Sequence, residues 1–106
     1  MREAYYEQVE NINADLVEVT RLVGSAMNRA TQALLDADLQ LAEAVIDFDA
    51  KVDLLTASID ERCFELIALQ APVATDLRVL LGAMRISSSL ERMGDLAEHV
   101  AKQARM

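Results

Sequence analysis

Apolar residues recur along this chain in steps of three and four. Tyr5, Val9, Ile12, Leu16, Val19, Val23, Ala26, Ala30 and Ala33 form one unbroken series, the spacing that holds side chains on one face of an α-helix. It predicts a first helix over about 5–35. Gly24 interrupts that helix at a cost of about 1 kcal/mol relative to alanine, which close contact with a neighbouring helix explains. A second series, Leu41, Val45, Phe48, Val52, Leu55, Ile59 and Leu66, predicts a helix over 38–69. Between the two lies Asp36-Ala37-Asp38, where Asp38 is a good N-cap whose charge suits a helix start.

Gln70-Ala71-Pro72 is the second connection, and Pro72 is the only proline. Proline can open a helix but not continue one, so the third helix is expected over 73–105, with Thr75 or Asp76 as alternative caps. Its apolar stripe begins with Leu77, Leu80, Leu81 and Met84. The same face then brings up Ser87, Ser88, Glu91, Gly94 and Asp95, a seam that turns acidic. Carboxylates near a core are costly unless something compensates them. Three helices of roughly thirty residues, each about 45 Å long, joined by tight connections, must run up, down and up. The expected fold is all-α: an antiparallel three-helix bundle, with residues 1–106 as a single domain.

Composition agrees with that pattern. Apolar residues make up 53% of the 106, with three Gly, one Pro and no Trp, too few turn and aromatic residues for a sheet protein. The formal net charge of −8 repels phosphate backbones and anionic membranes, which argues against nucleic-acid binding. Cations or a basic patch on a partner protein fit better. Cys63 is the only cysteine, which leaves no internal disulfide and suggests a small core residue. The opening residues carry acids where a signal peptide is apolar, and the apolar runs are too short to insert into a membrane. A cytoplasmic protein is expected.

Two acid pairs stand four apart, Asp49 with Asp53 and Glu91 with Asp95, each on one face of a helix. Counted from Pro72, Asp53 and Glu91 are both nineteen residues away, and Asp49 and Asp95 both twenty-three. In an antiparallel hairpin, residues equidistant from the turn sit level, so the four acids share one height. Oxygen-only ligands suit hard cations such as magnesium, manganese, calcium or iron. Spacing alone leaves two readings open: a carboxylate metal site, or acids that simply solvate helix faces. Asp49 and Asp53 flank the core seam of helix two, and which neighbour they face is unsettled. His99 reads as a surface histidine, the alternative being a phosphotransfer residue working with Lys102. No Glu-x-x-His motif of a di-iron oxidase occurs, which argues against an enzyme. Arg78, Arg85 and Arg92 recur every seven residues as a solvated basic stripe. Ser87-Ser88-Ser89, Gly82 and Gly94 provide small residues for close helix approach, and Tyr5 and Tyr6 are expected to staple the bundle end.

Several segments together resemble the PhoU family, the phosphate-specific transport system accessory proteins. They are Asp49-Ala50-Lys51-Val52-Asp53, Leu69-Gln70-Ala71-Pro72-Val73-Ala74-Thr75-Asp76-Leu77-Arg78, Arg85-Ile86, and Leu90-Glu91-Arg92-Met93-Gly94-Asp95. The opening from Met1 to Asn13 also looks like the start of such a protein. The resemblance implies a PhoU-like, spectrin-repeat-like bundle and a non-enzymatic negative regulator of phosphate uptake and the phosphate-starvation response. Its partners would be a phosphate ABC transporter and a sensor histidine kinase. Family E(D)-x-x-x-D motifs hold iron, zinc, magnesium or manganese in some members. Carried over residue by residue, the ligands are Glu91, Asp95, Asp49 and Asp53. Family members usually contain two such three-helix units and this chain has one, so the resemblance also implies a homodimer that imitates the pair.

Overall fold

Three helices form: α1 over Arg2–Asp36, α2 over Leu39–Gln70 and α3 over Ala74–Arg105. The computed structural model describes residues 2–106; Met1, with which the expected domain begins, lies outside the described residues. Every pair of helices packs together, up, down and up, into a rod with extents of 52 × 17 × 17 Å. No strand occurs among the described residues, and the three-helix bundle expected from the periodicity is the fold observed.

Local chemistry explains the boundaries. Helix α1 ends where Ala37 turns left-handed at φ 50° and the Asp38 amide donates to the Ala33 carbonyl at 2.9 Å. This six-to-one bond gathers an orphan carbonyl of the last turn. Asp38 then caps α2, its Oδ1 accepting from the Leu41 amide at 3.0 Å. Helix α2 also stops at a left-handed alanine, Ala71, φ 43°, whose amide donates to the Ile67 carbonyl in a five-to-one bond. Helix α3 has extended Val73 before it and no side-chain cap; neither Thr75 nor Asp76 serves, because both lie inside the helix.

The core changes character along the rod. At the end near the second connection it is built from large residues, among them Tyr5, Ile12, Leu16, Ile59, Leu66 and Leu80. Tyr5 closes that end: it is buried, and its hydroxyl donates to the Asp76 carbonyl at 3.5 Å. Its ring meets Tyr6 edge-on, centroids 5.3 Å apart. At the opposite end Ala26, Ala30, Ala33, Ala42, Ala97 and Ala101 replace them. Cys63 is fully buried, a small core residue, and burial pushes its thiol pKa up.

Two seams differ from the periodic expectation. Helix α2 buries Ala42, Val45, Asp49, Val52, Thr56, Ile59, Cys63 and Leu66. Phe48 and Leu55, expected in that row, sit half-buried beside it, where their bulk covers the groove edges; the Phe48 ring lies 5.2 Å from the Arg29 guanidinium of α1. The row on α3 is Leu80, Ala83, Ser87, Leu90, Gly94, Ala97 and Ala101. Leu81, Ser88, Glu91 and Asp95 are therefore exposed rather than part of a buried acidic stripe. Keeping unpaired carboxylates at the groove edge avoids the desolvation cost of a core position. Buried hydroxyls are satisfied: Ser87 donates to the Thr56 carbonyl at 3.2 Å, and Thr56 to that of Asp53 at 3.1 Å.

The glycines also divide. A Cβ on Gly94 would stand 3.1 Å from Asp49 Oδ1 and 3.2 Å from Val52 Cγ1, so this glycine does permit close approach of α2 and α3. Gly24 and Gly82 have nothing within 4 Å of that position, and the helix contacts expected at both are absent within the chain. Leu80 is fully buried among the large residues. Leu80→Ala is expected to lower stability by about 2–5 kcal/mol, read as a lower urea midpoint by circular dichroism.

Candidate metal centre

Asp49, Asp53 and Asp95 meet in the groove between α2 and α3. One carboxylate oxygen from each lies within 4.8 Å of the others. Helical spacing puts Asp49 and Asp53 one turn apart on α2, and the antiparallel crossing brings Asp95 level with them. Asp49 is only 7% exposed, whereas Asp53 and Asp95 border solvent. Gly94 creates the burial: with no side chain before it, α3 closes directly over the Asp49 carboxylate. Asp49 Oδ1 is buried and has no hydrogen-bond partner, an arrangement that protein interiors rarely leave uncompensated.

The electrostatics point the same way. Burial, then the adjoining Glu98 carboxyl, then Asp53 and Asp95 push the Asp49 pKa up to about 7. Asp53 is also raised, first by burial and then by Asp95 and Glu98. Glu98 is held low, chiefly by Lys102, with which it pairs at 2.9 Å. In the absence of a cation the group is thus frustrated, its innermost member favouring the neutral acid. A bound cation reverses that preference, because opposite charge stabilises the ionised form. An all-oxygen donor set of this kind fits a hard divalent ion or iron.

Residues 16–104 match the PhoU domain. The chain belongs to the PhoU family. It is 52% identical over 105 residues to the phosphate-specific transport system accessory protein PhoU homolog 2 of Mycobacterium tuberculosis, covering 99% of this chain and 49% of that protein. Identity to PhoU homolog 1 of Mycobacterium leprae is 51%, over 99% of this chain and 47% of the relative. With the PhoU homolog of Aquifex aeolicus it is 41%, over 93% and 45%. The chain thus spans about half the length of the curated relatives it matches.

Of the four acids expected from the PhoU motifs, the structure brings three together. Glu91, one turn before Asp95, is exposed and stands outside the group. Glu98, which the motif reading passed over, adjoins Asp49 instead. The signal for it was present, since Glu91, Asp95 and Glu98 follow the i, i+4, i+7 spacing of one helix face. His99 and the arginines Arg78, Arg85 and Arg92 are exposed. No described helix is long and apolar enough to cross a membrane.

A carboxyl whose pKa rises on folding makes the native state bind more protons than the unfolded chain, so stability falls as pH rises between the two values. For Asp49 that window runs from the unfolded value of 3.8 to about 7. In chelator, Asp49→Asn is expected to gain on the wild type progressively from about pH 4 and to level off above about pH 7. The full gap amounts to a few kcal/mol. Urea titrations across this range measure it, and an advantage that grows towards acid pH contradicts the assigned burial.

Proposed function

We propose that this chain is a phosphate-signalling regulator that works by contact rather than catalysis and carries a carboxylate metal site. Asp49, Asp53 and Asp95 hold the ion, and Glu91 is an outer carboxylate one turn away on α3. The observation that carries this reading is the buried, unpartnered Asp49 oxygen facing two further carboxylates. Iron, zinc, magnesium and manganese remain the ions to compare, with the oxygen donors favouring the harder ones.

The relatives' names, phosphate-specific transport system accessory proteins, support a role beside a phosphate transporter. In this reading the chain restrains phosphate uptake and the phosphate-starvation response, as a cytoplasmic adaptor between the transporter and a sensor histidine kinase. The ion ties α2 to α3 and neutralises part of the acidic groove that a partner meets. The working unit is a homodimer, two copies standing in for the two halves of the longer relatives.

Two experiments test the proposal. Metal content of protein purified without an affinity tag should collapse in Asp49→Asn/Asp53→Asn/Asp95→Asn while helicity persists. Loss of any one of these ligands should weaken binding more than the roughly 10–100-fold seen when only a partner of a ligand is removed. Unchanged metal content in the triple variant rejects the site. Separately, expression in cells lacking their own PhoU protein should restore repression of phosphate-starvation genes in phosphate-rich medium. Continued derepression rejects the regulatory role.

A further inference from the structure

The bundle has three faces, one along each groove, and they differ in charge. The α1–α2 face carries ion pairs, such as Arg62 with Asp15 at 2.5 Å. Along α2–α3 lie Asp49, Asp53, Asp95 and Glu98. The α1–α3 face is free of charge along most of its length. At 100° per residue, the flank of α3 nearest α1 carries Val79, Ile86, Met93 and Val100 in steps of seven. Val79, Ile86 and Met93 are 42%, 51% and 47% exposed. The matching flank of α1 carries Asn13, Val17, Thr20, Gly24 and Thr31, uncharged from Asn13 onward, with Glu3 and Glu10 continuing the row only at the end near Tyr5. In a chain that is 26% charged, two adjoining helix flanks free of charge from the level of Asn13 onward form a second seam beside the core seam.

Gly24 and Gly82 belong to this face, and nothing within the chain accounts for either. Each sits mid-helix, where glycine is unfavourable relative to alanine, and each faces open space. A surface glycine inside a helix makes sense where another backbone approaches from outside.

We infer that the α1–α3 face is the interface on which a second copy of this chain docks; this rests on the homodimer reading above and names its surface. Electrostatics select the occupant. Two copies at net charge −8 repel through the acidic α2–α3 groove and meet with least repulsion on the largely uncharged α1–α3 face, whereas a basic partner is drawn to the acidic groove. The whole side of the rod, 52 Å long and 17 Å wide, has a footprint on the order of 900 Å², against about 800 Å² per partner in a standard stable interface, so the copies must overlap along most of their length.

Self-complementarity adds to this. The pairs Tyr5–Asp76 and Val23–Gly94 set α1 and α3 parallel with an offset of 71 residues, so Gly82 lies level with Asn11. The midpoint between the levels of Gly24 and Gly82 is then near Val17, close to the centre of α1. A two-fold axis there, perpendicular to the rod, overlaps the copies along most of their length and brings Gly24 of one level with Gly82 of the other, as an isologous interface requires.

Sedimentation equilibrium over roughly 1–100 µM tests the assignment, reaching the weak end of the affinities that interfaces of this size show. The wild type should be a dimer at the upper end. Ile86→Glu should raise its dissociation constant at least tenfold with unchanged helicity. Gly24→Leu, which suits a helix and has open space in the monomer, should weaken the dimer while raising the thermal midpoint of dilute monomer. Leu54→Lys, at an exposed apolar position on α2, should leave association unaltered. A dimer that Ile86→Glu and Gly24→Leu leave within twofold of wild type overturns the surface but not the homodimer. A wild type monomeric throughout overturns both and leaves the metal site untouched.

Discussion

The closeness of α2 and α3 at Gly94 is the constraint on which the rest of this structure depends. A Cβ at that position would press on both the Asp49 carboxylate and Val52. Its absence lets α3 cover an acid that would otherwise reach water. Burial of Asp49 without a hydrogen-bond donor follows, as does the raised pKa and the convergence with Asp53 and Asp95. Helix packing and site chemistry are one event here. The groove is narrow because a glycine replaces a side chain, and it is acidic because the residue opposite is an aspartate in a core position.

Such an arrangement carries an energetic liability that ordinary core design avoids. A bundle with a long apolar end, closed by Tyr5 and filled by Ile12, Ile59 and Leu80, can tolerate it. The alanine-rich end beyond Asp49 brings the helices close and leaves little side-chain bulk to separate the acids. Frustration of this sort is the cost that the proposed site would carry before its cation arrives. Membership of the PhoU family sets the chain beside proteins named for phosphate transport, while the chemistry of the groove stands on its own residues.

Much of this was legible in the sequence. The steps of three and four from Tyr5 to Ala33 define α1, and Asp38 and Pro72 mark the connections, because caps and prolines act locally. Equal distances from Pro72 predict that Asp49 and Asp95 sit level, since antiparallel helices rise at the same rate. Less legible was which flank of each helix faces inward. On α2 the larger apolar residues Phe48 and Leu55 drew the predicted seam towards themselves, yet the row through Asp49 and Thr56 is buried. Hydrophobicity favours the former, and only packing against Gly94 and Ser87 decides for the latter. Rotation of α3 was misjudged similarly: Leu77, Leu81 and Met84 belong to its α2 flank rather than to the buried row, so the acids that follow them, Glu91 and Asp95, are exposed, and Glu98, one step of seven further along the same row, adjoins Asp49. Gly24 and Gly82 signalled a close neighbour, but periodicity within one chain does not reveal that no helix of the same bundle fills that place.

The central claim is that the Asp49, Asp53 and Asp95 carboxylates surround a cation. Anomalous diffraction from crystals grown with manganese or iron, recorded on both sides of the metal's absorption edge, tests it most directly. The account predicts a peak in the α2–α3 groove within bonding distance of oxygens from all three aspartates, about 2.0–2.6 Å for hard cations, absent in Asp49→Asn/Asp95→Asn. A groove without anomalous signal at saturating metal, or a peak bound elsewhere on the bundle, contradicts it.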